Sequence, residues 1–187
     1  PAFHEAITEK HGISPNFAEL TNVTVSGNNT SQLGGGLYLG RGSLVNCTVT
    51  LNGAFDAGGG IYSLVGGIIS NKKTIVAQNI VSFTGINPDV SGAFTSQGFN
   101  LIGEATGATG FGVNDQVGTA SSPLDARLGP LASNGGRTKT HALLPGSRAI
   151  DRGDNTDVPL TDQRGVARPR DGDGNGSRLI DIGAFER

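Results

Sequence analysis

The chain contains no tryptophan, no methionine and a single cysteine in 187 residues. One thiol, Cys47, closes no intrachain disulfide and builds no Cys-x-x-Cys metal knuckle, so sulfur chemistry does not hold the fold together. Aromatic residues make up only 5%, which points away from a core built on large rings. Charge is scarce as well. Lys and Arg number 14 against 16 Asp and Glu, a formal net charge of −2, so there is no electrostatic footprint for a phosphate backbone or an anionic membrane, and nucleic acid is not an expected partner. There is no run of about 18 apolar residues, and hence no expected membrane-spanning helix. The first residue is Pro1, with no charged-then-apolar leader after it. The expectation is a processed product or a fragment, with any export signal or anchor outside it.

What the chain has in excess is glycine, 31 residues of it, with no Gly-X-Y period that would indicate collagen. Hydrophobic residues at 35% and charged residues at 16% do not describe a disordered polyelectrolyte, and the length suits about one domain. The glycines belong to an internal repeat. LTNVTVSGN at 20–28 matches LVNCTVTLN at 44–52, and GGGLY at 34–38 recurs as GGGIY at 58–62, both 24 residues on. A looser copy, KTIVAQN at 73–79, follows after 27, which places a small insertion near Gly66 to Asn71.

Within each copy, runs such as Val23-Thr24-Val25 and Cys47-Thr48-Val49 are rich in β-branched residues and bounded by Asn and Gly, the mark of a strand. A period near 24 suits one turn of a parallel β-helix, whose rungs stack about 4.8 Å apart. The expected fold is therefore all-β: a right-handed parallel β-helix, a solenoid of ~24-residue coils over 20–103. A lead-in occupies 1–19, a surface loop rich in Gly, Ala, Ser and Thr occupies 104–127, and an irregular cap occupies 128–187. In that stack Val23 lies over Cys47 and Thr74, and Val25 over Val49 and Val76. Files of small side chains then make a core without Trp or Met.

Asn28, Asn52 and Asn79 close their runs at equivalent places, where Asn tolerates left-handed backbone and stacked amides bond along the axis. Asn22, Asn28, Asn29 and Asn46 also fit the N-glycosylation pattern, which arises automatically when an Asn turn meets a Thr-rich strand. The triple glycines lack a following Gly-Lys-Ser/Thr or an opening helix, so turn formation and close packing explain them better than a phosphate cradle. Cys47, on the expected inward face, reads as a small buried hydrophobe.

The last third is distinctive: LGPLASNGGRTKTHALLPGSRAIDRG at 128–153, TDQRGVARP at 161–169 and DIGAFE at 181–186. With GGGLY, GGGIY and TIVAQN, these strings resemble the bacterial choice-of-anchor Q domain-containing proteins. The glycine repeats also resemble, over a shorter stretch, those of the chlamydial polymorphic outer-membrane proteins. The resemblance implies an exported parallel β-helix, secreted or at the bacterial cell surface, with a variable anchor after the block and no shared catalytic residues. As a cap, the block would cover the strand edges of the last coil. Ala142 to Leu144 and Ala149-Ile150 would pack on the last rung, with His141 as a structural histidine. Arg164 is expected to pair with Asp162 or Asp181.

The most chemically loaded stretch is Asp171-Gly-Asp173-Gly-Asn175-Gly176 followed by Asp181. Oxygen-bearing side chains at alternate places of a Gly-turned loop suit calcium, although the spacing departs from an EF-hand. The candidate metal ligands are thus Asp171, Asp173, Asn175 and Asp181, against the rival of a turn whose side chains bond its own backbone. Asp151, Asp154 and Asp157 could supplement them. Pectate-lyase-like enzymes share this architecture, and Arg41, Lys72, Lys73 and Asp89 are the candidates for such chemistry. Lys72 and Lys73, adjacent on a strand, would point to opposite faces. The favoured function is a non-catalytic extracellular or cell-surface scaffold or adhesion module that contacts other surface proteins. The alternatives are a polysaccharide-binding module, for which Tyr38 and Tyr62 stack at the repeat offset, or a polysaccharide lyase.

Overall fold

Short β-branched runs separated by residues that accept a left-handed backbone turn this chain into strands and corners. The computed structural model describes residues 6–7, 17–83, 85 and 88–187. Of the expected lead-in, 1–5 and 8–16 lie outside the described residues. In chain order the strands are β1 (Ala6–Ile7), β2 (Phe17–Thr21), β3 (Thr24–Ser26), β4 (Leu37–Val45) and β5 (Thr48–Thr50). There follow β6 (Gly53–Ala54), β7 (Ile61–Lys72), β8 (Ile75–Ala77), β9 (Ile80–Val81) and β10 (Val90–Ser96). The last are β11 (Leu101–Ile102), β12 (Ala108–Thr109), β13 (Gln116–Val117), β14 (Leu128–Ala132) and β15 (Thr140–Leu143). The described residues contain no helix.

The strands stack as a parallel β-solenoid. A six-stranded sheet runs β1-β3-β5-β8-β11-β13, a five-stranded sheet runs β12-β10-β7-β4-β2, and β6 pairs with β9 in the third side of the coil. All these pairings are parallel. The expected files are present: Val25 pairs with Val49 and Val49 with Val76. The Thr48 N–H bonds the Val23 carbonyl and the Ile75 N–H the Cys47 carbonyl, which puts Val23, Cys47 and Thr74 in one file. Val25, Val49, Val76 and Ile102 are fully buried. So is Cys47, whose thiol is pushed up to about 12 by burial, an inert core residue.

The insertion in the third coil sits slightly earlier than the sequence suggests. Leu39 pairs with Ser63, whereas Arg41 pairs with Ile68. The extra residues therefore lie between Ser63 and Ile68, where Gly66 turns at φ +74 and Val65 is fully exposed. A bulge pushed outward leaves the interior files in register.

Each coil turns at left-handed corners. Asn22, Asn46, Lys73 and Phe99 have φ of 55, 49, 51 and 58, and Gly27, Leu51 and Gln78 have φ of 76, 56 and 62. The ladder asparagines are thus not themselves left-handed; the residue before each one is. Their task is to bond along the axis. The Asn52 Oδ1 accepts the backbone and side-chain N–H groups of Asn28, both at 3.0 Å. The Asn79 Oδ1 accepts the same pair from Asn52 at 3.0 and 2.9 Å. Asp89 ends the series, its Oδ1 accepting both Asn79 groups at 2.9 and 2.8 Å. Burial of Asn22, Asn28 and Asn46 leaves exposed Asn29 as the acceptor-pattern asparagine a glycan could reach in the folded chain. The triple glycine does pack closely: a Cβ on Gly36 would stand 2.6 Å from the Gly60 carbonyl oxygen and 2.9 Å from the Asn52 Nδ2.

Two expectations for the C-terminal half change. The stretch 104–127 is more than a surface loop, because β12 pairs with β10 and β13 with β11. It forms a shortened last rung, and Phe111 stacks on Phe94 at 5.5 Å to close that end of the interior. The irregular block 128–187, for its part, covers the flank of the stack and runs along the outer face of the six-stranded sheet. Ile75, Ala77 and Leu101 on that face pack with Leu143, Ala149, Ile150, Ile182 and Phe185. Farther along, the Thr24 hydroxyl bonds Gln163 at 2.6 Å, Ser26 meets His141 at 2.8 Å, and the Thr48 Oγ1 accepts the Ala184 N–H at 3.0 Å. The physical cause is the outward file Thr24, Thr48, Ile75, Leu101, whose Ile75 and Leu101 are apolar and need a cover. Hence β3, β5 and β8 are buried at every position. His141, bonded also to the Gly129 carbonyl at 2.7 Å, is structural as expected.

Candidate functional site

The Gly-rich acidic loop folds by bonding itself. Asp171 Oδ1 accepts the N–H groups of Gly174 and Asn175 at 2.8 and 3.1 Å, and its Oδ2 that of Gly176 at 2.9 Å. Gly174 and Gly176 turn at φ +79 and +88, which such a tight path requires. Asp151 reaches in from the preceding segment, its Oδ2 accepting the N–H groups of Gly172 and Asp173 at 3.0 and 2.9 Å. Carboxylate oxygens of Asp151, Asp171 and Asp173 thereby lie within 4.8 Å of one another. These three could hold a metal ion.

The other two expected ligands have different tasks. The Asn175 Oδ1 accepts the Ser177 N–H at 2.7 Å, and its Nδ2 donates to Asp173 at 2.9 Å. Asp181 is buried beneath the loop and takes the N–H groups of Asp151 and Arg187, each at 2.7 Å. Burial, with Glu186 and Asp151 nearby, pushes its carboxyl up to about 7. Asp181 thus holds the backbone of Asp151, which itself turns at φ 52. Asp154 and Asp157 lie with the lysines instead.

Beneath the loop is a buried ionic core. Arg168, its side chain wholly inaccessible, donates to the carbonyls of Asp181 and Gly183 at 3.0 and 2.7 Å and stands 3.5 Å from Glu186. Burial raises the Glu186 carboxyl while Arg168 pulls it back down. Glu186 in turn accepts the N–H groups of Arg170 and Asp181 at 2.8 and 3.0 Å. Arg164 pairs with Asp162 at 2.8 Å, bonds the Glu186 carbonyl, and lies 3.6 Å over the Phe185 ring. Of the two partners expected for Arg164, the structure selects Asp162. The sequence carried no periodic signal for Arg168 or Glu186, since their partners come from turns without a repeat.

The candidates for lyase chemistry are dispersed. Lys73 is fully buried, 2.7 Å from Asp154 and 2.5 Å from the Thr156 carbonyl. Burial pushes its ammonium down and Asp154 pulls it back up. Lys72 stands 3.5 Å from Asp157 at the surface. The two lysines therefore reach the same loop, because the left-handed corner at Lys73 breaks the strand alternation that would have sent them to opposite faces. Asp89 ends the asparagine ladder, and Arg41 is exposed on the five-stranded sheet, paired in register with Phe17 and Ile68. Tyr38 and Tyr62 stack at 5.7 Å and 13°, and Phe55 and Phe83 at 5.0 Å and 16°. In each pair the rings cover one face of one another, which ties neighbouring coils together. Comparison with family models, with curated proteins and with solved structures finds no match to this chain.

Proposed function

We propose that this chain is a non-catalytic, secreted or cell-surface β-solenoid module of bacterial type, a scaffold or adhesion element that contacts other surface proteins. The observation that carries the reading is the dispersal of the reactive groups. Lys73 and Asp89 are consumed by structural bonds, Lys72 is paired with Asp157 on the loop that also holds Lys73, and Arg41 is on the five-stranded sheet, whereas proton abstraction beside a uronate needs base and charge-neutralising groups converging on one open point. The C-terminal strings that resemble exported anchor-bearing proteins support the location. Crosslinking on intact producing cells is the test: recovery of the chain joined to surface proteins is the expected result. A purified chain that depolymerises a uronate polymer overturns it.

In the same reading, the carboxylates of Asp151, Asp171 and Asp173 bind calcium. A hard oxygen set on a tight loop suits that ion, and each carboxylate retains lone pairs beyond those its N–H partners use. A chelator is expected to lower the melting temperature by several degrees, and Asp173→Asn to abolish that response. A melting temperature indifferent to chelator removes calcium from the site.

A further inference from the structure

An open groove of about 820 Å³ lies where the last rung meets the flanking block. Phe99, Asn114 and Gln116 line it from the coils, and Arg148, Arg152 and Arg187 from the block. In a chain of net charge −2, three guanidinium groups on one groove are a local concentration of positive charge. All three arginines are exposed, and none has an ion-pair partner within 4.0 Å among the described residues. Asp173 also lines the groove, and its one carboxylate offsets only one of the three guanidinium charges. The Gln116 Nε2 donates to the Arg148 carbonyl at 2.8 Å, and among the described residues neither the Gln116 Oε1 nor the Asn114 side chain has a hydrogen-bond partner. Phe99 occupies the corner file that holds Asn22, Asn46 and Lys73 in earlier coils. Those three are buried, whereas the Phe99 ring is only half-buried.

We propose that this groove binds an anionic polysaccharide. Unpaired guanidinium forks match carboxylate and sulfate oxygens two at a time. The amides of Asn114 and Gln116 offer a donor and acceptors for hydroxyl groups, and the Phe99 ring offers an apolar wall for a sugar face. A single small anion would leave most of an 820 Å³ groove empty. Nucleic acid is a poor occupant, because the groove offers one ring rather than a series on which successive bases could stack.

Affinity electrophoresis of the whole chain through gels cast with polygalacturonate, dextran sulfate or neutral dextran tests this. Retardation by an anionic polymer and none by dextran is expected, and the polymer that acts tells carboxylate from sulfate. Arg148→Ala/Arg152→Ala should weaken that retardation by about tenfold or more with an unchanged melting temperature, since both residues are exposed. Arg41→Ala, on a different sheet, should migrate like the parent. The proposal is overturned if neither anionic polymer retards the chain, or if the double variant is retarded equally. It fails equally if Arg41→Ala loses as much, or if millimolar inorganic phosphate displaces the polymer fully. Binding without shortening of the polymer is independent of the scaffold reading, so either can fail alone.

Discussion

Alanine in place of Asn52 is expected to lower the unfolding free energy by about 3–5 kcal/mol, read by chemical denaturation. The Asn52 side chain accepts two N–H groups from Asn28 and donates to the carbonyls of Val25 and Thr50 at 3.0 Å and to Asn79 at 2.9 Å. The residue is fully buried, so no water can replace these bonds, and each group left unpaired costs about 1–3 kcal/mol. Asn29→Ala, one turn edge away and exposed, should change stability by under about 0.5 kcal/mol; an equal loss at both positions would refute the ladder's role. The ladder also carries a pH signature through its terminal residue. Burial raises the Asp89 carboxyl to about 6 from 3.8, against the pull of the Asn79 and Glu104 N–H groups. A raised folded-state value means that the contribution of Asp89 is fully present below 3.8 and is lost as pH rises through about 6. Buried His141, whose ring is pushed down, acts in the opposite sense, its contribution lost as pH falls below 6.5. Comparing Asp89→Asn with the parent separates the two: the deficit of the variant should shrink between pH 5 and pH 7 by about 1 kcal/mol.

Arg168→Leu should cost about 3–5 kcal/mol, because it strands the Glu186 carboxylate and the carbonyls of Asp181 and Gly183 in a buried site. Adding Glu186→Gln to that variant should restore about 1–2 kcal/mol, since a neutral amide no longer needs the lost cation. Additive losses in the double variant, measured by urea unfolding, would show that the pair is not coupled. The flank block should loosen in Arg168→Leu while the solenoid coils keep their far-ultraviolet signal, since the coils bond chiefly to one another.

The coils were legible in the sequence because stacking copies residue types at a fixed offset: Val25 over Val49 over Val76 is a file that a period of 24 and then 27 announces. The asparagine amides were legible for the same reason. Legibility ended where repetition ended. Nothing marks Phe99 as a corner residue equivalent to Asn22, because an aromatic at φ 58 defies local preference. Stretch 104–127 carries too few β-branched residues to announce β12 and β13. At the acidic loop, composition pointed to the Gly-Asp spacing and offered Asp151, Asp154 and Asp157 together as supplements, but did not tell which of the three reaches in. Asp151 enters through its bond to Asp181, thirty residues on in the chain, and such a contact leaves no pattern. The arginines of the groove were silent for the same reason, since Arg148, Arg152 and Arg187 converge only in space.

The long reach of the flank block sets an order of assembly. Thr24 and Gln163 are 139 residues apart, and Thr48 and Ala184 136, whereas neighbouring rungs join partners only 15 to 29 residues away. During synthesis the early rungs can zip as they emerge, while the outer side of their sheet stays wet until the flank block has followed them. Release from that waiting state hinges on the segment from Ile182 to Phe185, so a nascent chain that has not yet delivered it carries a naked, adhesive sheet.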